Sequence, residues 1–269
     1  IDLTDYLGGG SWTPIGTEDK PFTGTFDGQD HSITGLSIKN ADFENQGLFG
    51  YMSGTNSAVR NLTVSGTVSV SVDSGDSVSV GGVVGQNNGG TVTNCHNTVE
   101  ISGSSSGDNG DSIFVGGVVG YNSSGTITNC SNTSTVSGDG SKGDNIYVGG
   151  VVGYNSKGTV TNCSNTGTVS GNGSVNGFYG DSISVGGVVG ENSGIGTVEN
   201  CYNTGTVSSD NSAADIGGVV GSMLYGDPKG TVKNCYNAGM VKGSAYNAGG
   251  VVGFTYNQNS TIENCYNTG

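Results

Sequence analysis

The 269-residue sequence is poor in charge, in basic residues and in long apolar runs, and each shortage excludes a class of protein. Charged residues make up 11% of the chain, against about 25% in typical domains, while 32% are hydrophobic, so an ionic disordered tail is excluded. No segment approaches the ~20 apolar residues of a membrane-spanning helix. Eight basic residues against 22 acidic ones leave a formal charge of -14. We therefore expect no binding to nucleic acid and no membrane insertion of this chain.

What the sequence has in abundance is glycine, with 53 residues, and much of it lies in a repeat of about 34 residues. The string GGVVG begins at six positions: Gly81, Gly116, Gly149, Gly186, Gly217 and Gly249. Each copy is followed by Asn-Cys-x-Asn, which places a cysteine at Cys95, Cys130, Cys163, Cys201, Cys235 and Cys265. A degenerate copy at 47–62 has Leu62 at the cysteine position. That position is therefore predicted to be apolar and to face inward.

Within each repeat, short runs of Val, Ile and Thr alternate with Gly, Ser and Asn, which is typical of strands. In the copy at 148–171, we interpret VGGVVG, GTVTNC and GTVSG as three strands, so that one repeat forms one coil. Equivalent strands should pair in parallel, and crossovers between parallel strands favour a right-handed path. The sequence thus predicts an all-β fold, a right-handed single-stranded parallel β-helix of about seven to eight coils with three strands per coil.

The first 46 residues do not keep the repeat and concentrate large side chains: Trp12, Pro14, Phe22, Phe26 and Phe43. Terminal repeats of a solenoid are atypical because they cover the open end of the core. We assign residues 1–46 to an N-terminal cap with a lead-in coil, and 47–269 to one continuous β-helical domain. The chain begins at Ile1 without a methionine or a signal-like stretch and stops in mid-repeat, so we expect it to be a piece of a longer protein.

The tetrapeptide Gly47-Leu48-Phe49-Gly50 and the approach segment FDGQDHSITGL at 26–36 resemble the GLUG-motif proteins. The later copies read GVVG in place of GLFG. The resemblance covers almost the whole chain and implies a right-handed parallel β-helix on a secreted or surface-anchored bacterial protein. Such proteins include adhesins and the non-catalytic part of some immunoglobulin A proteases. The motif is structural, so the resemblance implies no catalytic residue.

The six cysteines are even in number, which allows a disulfide interpretation. One cysteine per coil at an equivalent position instead forms a column with a spacing of about 4.8 Å, whereas a disulfide needs Cβ atoms about 3.8 Å apart. We therefore favour free thiols in a ladder within the core. A column cannot surround a metal ion tetrahedrally, and Cys-x-x-Cys spacing is absent.

An aspartate preceded by glycine lies five residues before the GGVVG glycine in four repeats, at Asp76, Asp111, Asp144 and Asp181. Stacked carboxylates could share a weakly bound Ca²⁺, with Asp108 and Asp139 as further oxygen ligands. The alternative is that these residues form turns in which Asp bonds the local backbone, and we favour it because no EF-hand or nonapeptide calcium motif is present. No other cofactor is expected.

Asparagines flank each cysteine, as at Asn162 and Asn165, and fit a left-handed corner and a stack of amides between coils. Tyrosine follows the cysteine in the last three repeats, at Tyr202, Tyr236 and Tyr266. These rings either form an exposed strip that binds a ligand or pack within the corner, and we favour packing. A second, interrupted set follows GVVG: Tyr51, Tyr121, Tyr154 and Phe254, with Gln86, Glu191 and Ser222 between them.

Catalytic groups are sparse. Arg60 is the only arginine, and His31 and His96 lie in different repeats with no triad or zinc motif. Whether two acids stand at the separation needed for glycoside hydrolysis depends on the fold and stays open.

These features predict a non-catalytic extracellular module at a bacterial cell surface, acting in adhesion or as a stalk. The expected partner is a host glycan or a matrix protein, and the chain is expected to be a monomer. The alternative is a glycan-active β-helical enzyme of the polysaccharide lyase or glycoside hydrolase type.

Overall fold

The structure is a computed structural model that describes residues 1–39, 44–72, 77–106, 112–140, 144–173, 182–224, 230–256 and 259–269. One short helix, α1 (Thr4–Leu7), precedes the strands, which are numbered in chain order. In the described part of the chain, no helix has the length and apolar content that a membrane crossing requires.

The strands form three parallel sheets, each built from one segment of every repeat. Sheet I contains β2 (Asn45–Gln46), β5 (Val78–Gly81), β8 (Ser112–Gly116), β13 (Asn145–Gly149), β18 (Ile183–Gly186), β23 (Ala214–Gly217) and β28 (Asn247–Gly249). Sheet II contains β3 (Phe49–Ser53), β6 (Val84–Asn88), β9 (Val119–Ser123), β14 (Val152–Ser156), β19 (Val189–Ser193), β24 (Val220–Met223) and β29 (Val252–Thr255).

Sheet III begins with three long strands, β1 (Thr25–Ile38), β4 (Ala58–Val72) and β7 (Thr91–Ser105). In the later coils it is divided into short strands: β10 (Thr126–Thr128), β11 (Ser131–Asn132), β12 (Val136–Gly140), β15 (Thr159–Thr161), β16 (Ser164–Asn165), β17 (Val169–Gly173), β20 (Thr197–Glu199), β21 (Tyr202–Asn203), β22 (Val207–Ser209), β25 (Thr231–Lys233), β26 (Tyr236–Asn237), β27 (Val241–Gly243), β30 (Thr261–Glu263) and β31 (Tyr266–Asn267).

Equivalent residues of successive repeats pair side by side, so that Ile113, Ile146 and Ile183 stand in one column. These columns of Val and Ile are fully buried and form one continuous core. The predicted all-β parallel solenoid with three strands per coil is confirmed. The seven strands of sheet I are separated by six turns, so the number of coils differs slightly from the expected seven to eight.

The GGVVG segment is a corner, which corrects the prediction that VGGVVG is one strand. Strand β13 ends at Gly149, and β14 begins at Val152 on the next sheet. A Cβ on Gly149 would overlap the carbonyl oxygen of Val152, and one on Gly150 would overlap the side-chain amide of Asn165. Both positions therefore require glycine, because the backbone turns there without room for a side chain. The segments GTVTNC and GTVSG, predicted as the second and third strands of the coil, both lie in sheet III.

The N-terminal region covers the first coil. Strand β1 pairs with β4, placing Ile33 beside Val64. The Trp12 indole N–H donates to the carbonyl of Leu48 at 3.0 Å, and the Phe22 and Phe26 rings lie 4.9 and 5.4 Å from that of Phe49. Phe43, another residue of the predicted cap, lies outside the described residues.

Candidate functional site

Every asparagine that precedes a cysteine has a left-handed backbone, with φ of +52 to +54°. The positions are Asn94, Asn129, Asn162, Asn200, Asn234 and Asn264, and Asn61 of the degenerate copy has the same conformation. Asparagine tolerates this region better than most residues because its short side chain can bond locally. The bend directs the following cysteine inward and the next residue outward. The predicted left-handed corner is confirmed.

The asparagine two positions after each cysteine forms the predicted stack of amides. The Asn165 amide Nδ2 donates to Asn203 Oδ1 at 2.8 Å and to the Gly167 carbonyl, while its Oδ1 accepts from Asn132 at 2.7 Å. The same bonds run from Asn97 to Asn267. A second buried stack of amides, which we did not predict, joins Asn87, Asn122, Asn155 and Asn192. Its signal was visible as an asparagine two residues after GVVG in the first four of the six copies.

The six cysteines are free thiols in one column, buried from Cys95 to Cys235 and half-buried at Cys265. The Cys163 Sγ contacts the backbone carbonyls of Ile127 and Thr161 at 3.7 and 3.3 Å. Burial raises the pKa of the Cys130 and Cys201 thiols well above the ordinary value. The Cys130 and Cys201 sulfurs are enclosed by the core and pack there as small apolar groups.

Most of the predicted acidic column lies outside the described residues, namely Asp76, Asp111, Asp181 and the helper Asp108. Asp144 is fully buried and Asp139 is exposed. The described parts of the chain contain no group of three His, Cys, Asp or Glu side chains that could hold a metal ion. A calcium site at these four aspartates stays a prediction.

Tyr202, Tyr236 and Tyr266 form a strip on the outer surface of sheet III. Neighbouring rings are parallel, with centroids 5.1 and 5.2 Å apart and interplanar angles of 4° and 6°. The first two side chains are half-buried, and Tyr266 is 56% exposed. Partial burial raises the pKa of Tyr236, and the flanking tyrosines add to this shift. The rings cover one another's faces, so the strip presents ring edges and hydroxyls to solvent.

The interrupted aromatic set that follows GVVG lies on sheet II. Across the glycine corner it faces an aromatic column on sheet I. Phe114 stacks on Tyr121 at 5.1 Å and on Tyr147 at 5.4 Å, and Tyr147 contacts Tyr154 at 5.1 Å. In the next coil, Ser184 pairs with Tyr147 and Glu191 pairs with Tyr154. The corner thus changes from aromatic to acidic within one turn. We call these outward-facing side chains the corner cleft.

Two carboxylates lie close together in the corner cleft. Glu191 is 1% exposed, and burial raises its pKa to about 8; the nearby Asp215 carboxylate adds to the shift, and the Ser222 hydroxyl opposes it. Burial likewise raises the pKa of Asp215, against a 2.7 Å hydrogen bond from the Asn247 amide. In the sequence, Glu191 is visible only as an interruption of the aromatic set, and Asp215 belongs to no motif.

The remaining candidate catalytic residues stay apart. Arg60 pairs with Asp27 at 3.0 Å, and hydrogen bonds from Asn61, the Gln29 backbone and Arg60 lower the pKa of Asp27. His96 contacts the Ser131 hydroxyl at 2.7 Å on the exposed face of sheet III. The described residues around these groups form no nucleophile–base–acid arrangement.

Two curated proteins share sequence with parts of the chain. One, from Evansella cellulosilytica, is described as a candidate Gly-rich membrane protein and is 41% identical over 91 residues. That match covers 33% of this chain and 10% of the relative. The other is halomucin of Haloquadratum walsbyi, which is 38% identical over 64 residues, 23% of this chain and 1% of halomucin. The chain therefore spans a small part of either relative.

The fold is similar to that of a candidate immunoglobulin A1 protease from Bacteroides ovatus, known from a crystal structure. The TM-score is 0.65, the match covers 99% of this chain and 75% of the other, and the sequences are 20% identical. At that identity the similarity concerns the fold alone. The GLUG motif model matches five segments of the chain: 76–102, 115–137, 144–170, 181–208 and 244–269. The chain is therefore a parallel β-solenoid that carries five copies of the GLUG motif.

Proposed function

We propose that this chain is a non-catalytic module of a bacterial surface protein, and that it binds an extended host glycan through the tyrosine strip. The observation that carries the proposal is the parallel stack of Tyr202, Tyr236 and Tyr266 on the outside of sheet III. Residues that serve only packing would be covered, whereas Tyr202 and Tyr236 are partly exposed although a coil flanks each of them on both sides.

The interior supports a role as a rigid support for such a surface. The thiol column, the two stacks of amides and the Val and Ile columns run through successive coils. Buried hydrogen-bond networks with every member paired rigidify a core. Each coil is thereby held to the next, and the outer side chains keep fixed positions.

The strip favours an extended ligand with repeated polar groups. Because the ring faces cover one another, a ligand meets ring edges and hydroxyls spaced about 5 Å apart, near the spacing of paired strands. Tyrosine combines an apolar body with a polar tip and is enriched at binding surfaces. Sugar hydroxyls along a chain are suitable partners for such a row.

Display at the cell surface is supported by the two relatives, a Gly-rich membrane protein and a halomucin. An antibody raised against this chain should label intact, unpermeabilised cells of its source organism. Labelling only after permeabilisation would contradict surface display.

A glycan and matrix-protein array tests the binding proposal. We expect the folded chain to bind a glycan, and the triple Tyr202, Tyr236 and Tyr266 to Ala variant to bind at least about tenfold more weakly. The matching triple Phe variant keeps the stack and isolates the contribution of the hydroxyls. Tyr6→Ala and Tyr246→Ala are controls, since these side chains are 78% and 82% exposed outside the strip.

Three outcomes contradict the binding proposal. If the folded chain binds nothing on the array, it is a passive stalk. If the triple Ala variant binds as well as the unmodified chain, the ligand occupies another face. Binding to a matrix protein alone would replace the glycan with a protein partner.

The second candidate is a glycan-active enzyme, and Glu191 is the observation in its favour. A carboxylic acid with a pKa of about 8 beside a second carboxylate resembles the general acid of a glycosidase. However, Glu191 is 1% exposed, so a sugar ring cannot reach it. We therefore expect no depolymerisation of pectins or host glycans; chain cleavage that is lost in Glu191→Gln would establish the enzyme instead.

A further inference from the structure

Four oxygen-bearing side chains meet in the corner cleft from two sheets and two successive coils. On sheet I, Ser184 pairs with Asp215, and on sheet II, Glu191 pairs with Ser222. The hydroxyls of Ser184 and Ser222 lie 2.7 Å apart, which joins the two sheets diagonally. Ser222 and Asp215 both lie near enough to Glu191 to shift its pKa, the hydroxyl downward and the carboxylate upward.

One polar atom of this cluster is left without a hydrogen-bond partner. The Oε2 atom of Glu191 is buried and has no hydrogen-bond partner among the described residues. The ion pairs of the described residues, Arg60–Asp27 and Lys233–Glu263, lie elsewhere. A buried carboxylate beside a second carboxylate is costly unless a positive charge or a proton compensates it.

We propose that Glu191, Asp215, Ser184 and Ser222 form a binding site for a hard divalent cation of the calcium type. Their carboxylate and hydroxyl oxygens belong to the donor class that Ca²⁺ prefers, and water completes the six to eight ligands that it takes, as in many protein sites. The ion removes the repulsion between the two carboxylates and gives Glu191 Oε2 a partner.

Access to the site is limited to small species. Asp215 is only half-buried, so the cluster opens to solvent on its side, while Glu191 is closed off. Asn247 donates to Asp215 Oδ1 at 2.7 Å and holds this carboxylate in place. The opening suits a partly hydrated ion and excludes a sugar residue.

The neighbouring coils explain why the site occurs in one place along the solenoid. In the two preceding coils the same positions hold Phe114, Tyr121, Tyr147 and Tyr154, which pack against one another. In the last coil they hold Asn247 and Phe254. These coils offer no carboxylate, so we expect one ion per chain at this corner.

Terbium luminescence tests the site, because Tb³⁺ replaces Ca²⁺ and is sensitised by nearby tyrosines such as Tyr147 and Tyr154. We expect the full chain to show saturable emission with one ion per chain, reversed by Ca²⁺. Glu191→Gln and Asp215→Asn should each weaken Tb³⁺ binding by at least about tenfold, the loss typical of disturbing a metal site. Glu100→Gln, the same change on the exposed face of sheet III, should bind like the unmodified chain.

Melting in calcium and in EDTA provides a second readout. A cation at a concentration 100 times its Kd for the folded chain should raise the Tm by about 5 °C. The Glu191→Gln substitution should abolish that rise. Both substitutions remove a negative charge without changing side-chain size, so we expect them to fold; should Glu191→Gln not fold, the half-buried Asp215→Asn decides.

The proposal is overturned by either of two results. One is that the unmodified chain and the folded site variants bind Tb³⁺ with equal affinity. This result would mean that Tb³⁺ binds surface acids elsewhere. The other is the absence of saturable emission together with equal melting in calcium and in EDTA, which would mean that the pocket holds only a proton.

Discussion

At the scale of the residue, asparagine performs two different tasks at one corner. Asn162 supplies a left-handed backbone at φ +54°, whereas Asn165 supplies a buried amide that bonds to the coils before and after it. The same residue type is required twice for unrelated physical reasons. Amides of the left-handed position also bond between coils, as from Asn129 to Asn94, but that bond is exposed, whereas the stack through Asn165 is buried.

Replacement of Asn165 by Ala should lower the free energy of unfolding by about 2 to 4 kcal/mol, because several buried polar groups lose their partner at once. These include the Asn132 Nδ2, the Asn203 Oδ1 and the Gly167 amide. Urea unfolding followed by circular dichroism measures the loss. Asn267→Ala is the matched control, since Asn267 occupies the same position in the exposed last coil and should cost about 1 kcal/mol or less. Equal losses in the two variants would contradict a role for the buried stack.

At the scale of the element, the glycine corner decides where one strand ends and the next begins. Gly149 and Gly150 stand between β13 and β14, where a side chain would collide with a carbonyl oxygen or with an amide of the stack. The corner also brings the outer residues of sheets I and II together. The corner cleft therefore depends on these glycines as much as on the acids within it.

Gly149→Ala should destabilise the chain by about 2 kcal/mol or more, because its Cβ would overlap the Val152 carbonyl oxygen and the backbone must shift. The effect is measured as the change in urea midpoint. Gly24→Ala serves as the control, since its Cβ would meet only the Phe22 ring at 3.6 Å, an ordinary contact. A Gly149→Ala variant as stable as the control would show that the corner has room for a methyl group.

At the scale of the whole molecule, each repeat is stabilised by its neighbours, and its position in the stack decides how well it is covered. Val198 and Val232 are fully buried, whereas Ile262 at the equivalent position of the last coil is 47% exposed. In solenoids, stability is approximately a sum of terms for each repeat and for each interface between repeats. In the isolated 269-residue chain, the coil that contains Ile262 has one such interface.

This difference predicts the order in which the thiols react. A disulfide-exchange reagent should modify Cys265 rapidly in the native chain, because that thiol is half-buried, while the five buried cysteines react only after unfolding. The measurement is thiol release over time, with and without urea. Cys265→Ser should remove the fast phase and leave the slow one. Rapid reaction of all six thiols would contradict a closed core.

The period, the parallel strands, the left-handed asparagines and the inward cysteines could all be predicted from the amino-acid sequence. Each of these follows from local chemistry: β-branched residues favour strands, asparagine tolerates positive φ, and Leu62 marks an apolar position. Because the repeat encodes the same local structure seven times, agreement between the copies was sufficient to recognise it.

Only the tertiary structure decided what meets across a corner. VGGVVG divides between two sheets. The backbone turns at Gly149 so closely that a side chain there would overlap the carbonyl oxygen of Val152. Glu191 and Asp215 belong to different repeats and become neighbours only when the coils stack in register and the corner turns their sheets toward each other. Periodicity fixes which side chains share a column, but the angle between two sheets is set by packing around the glycines, and that angle brings the two columns into contact.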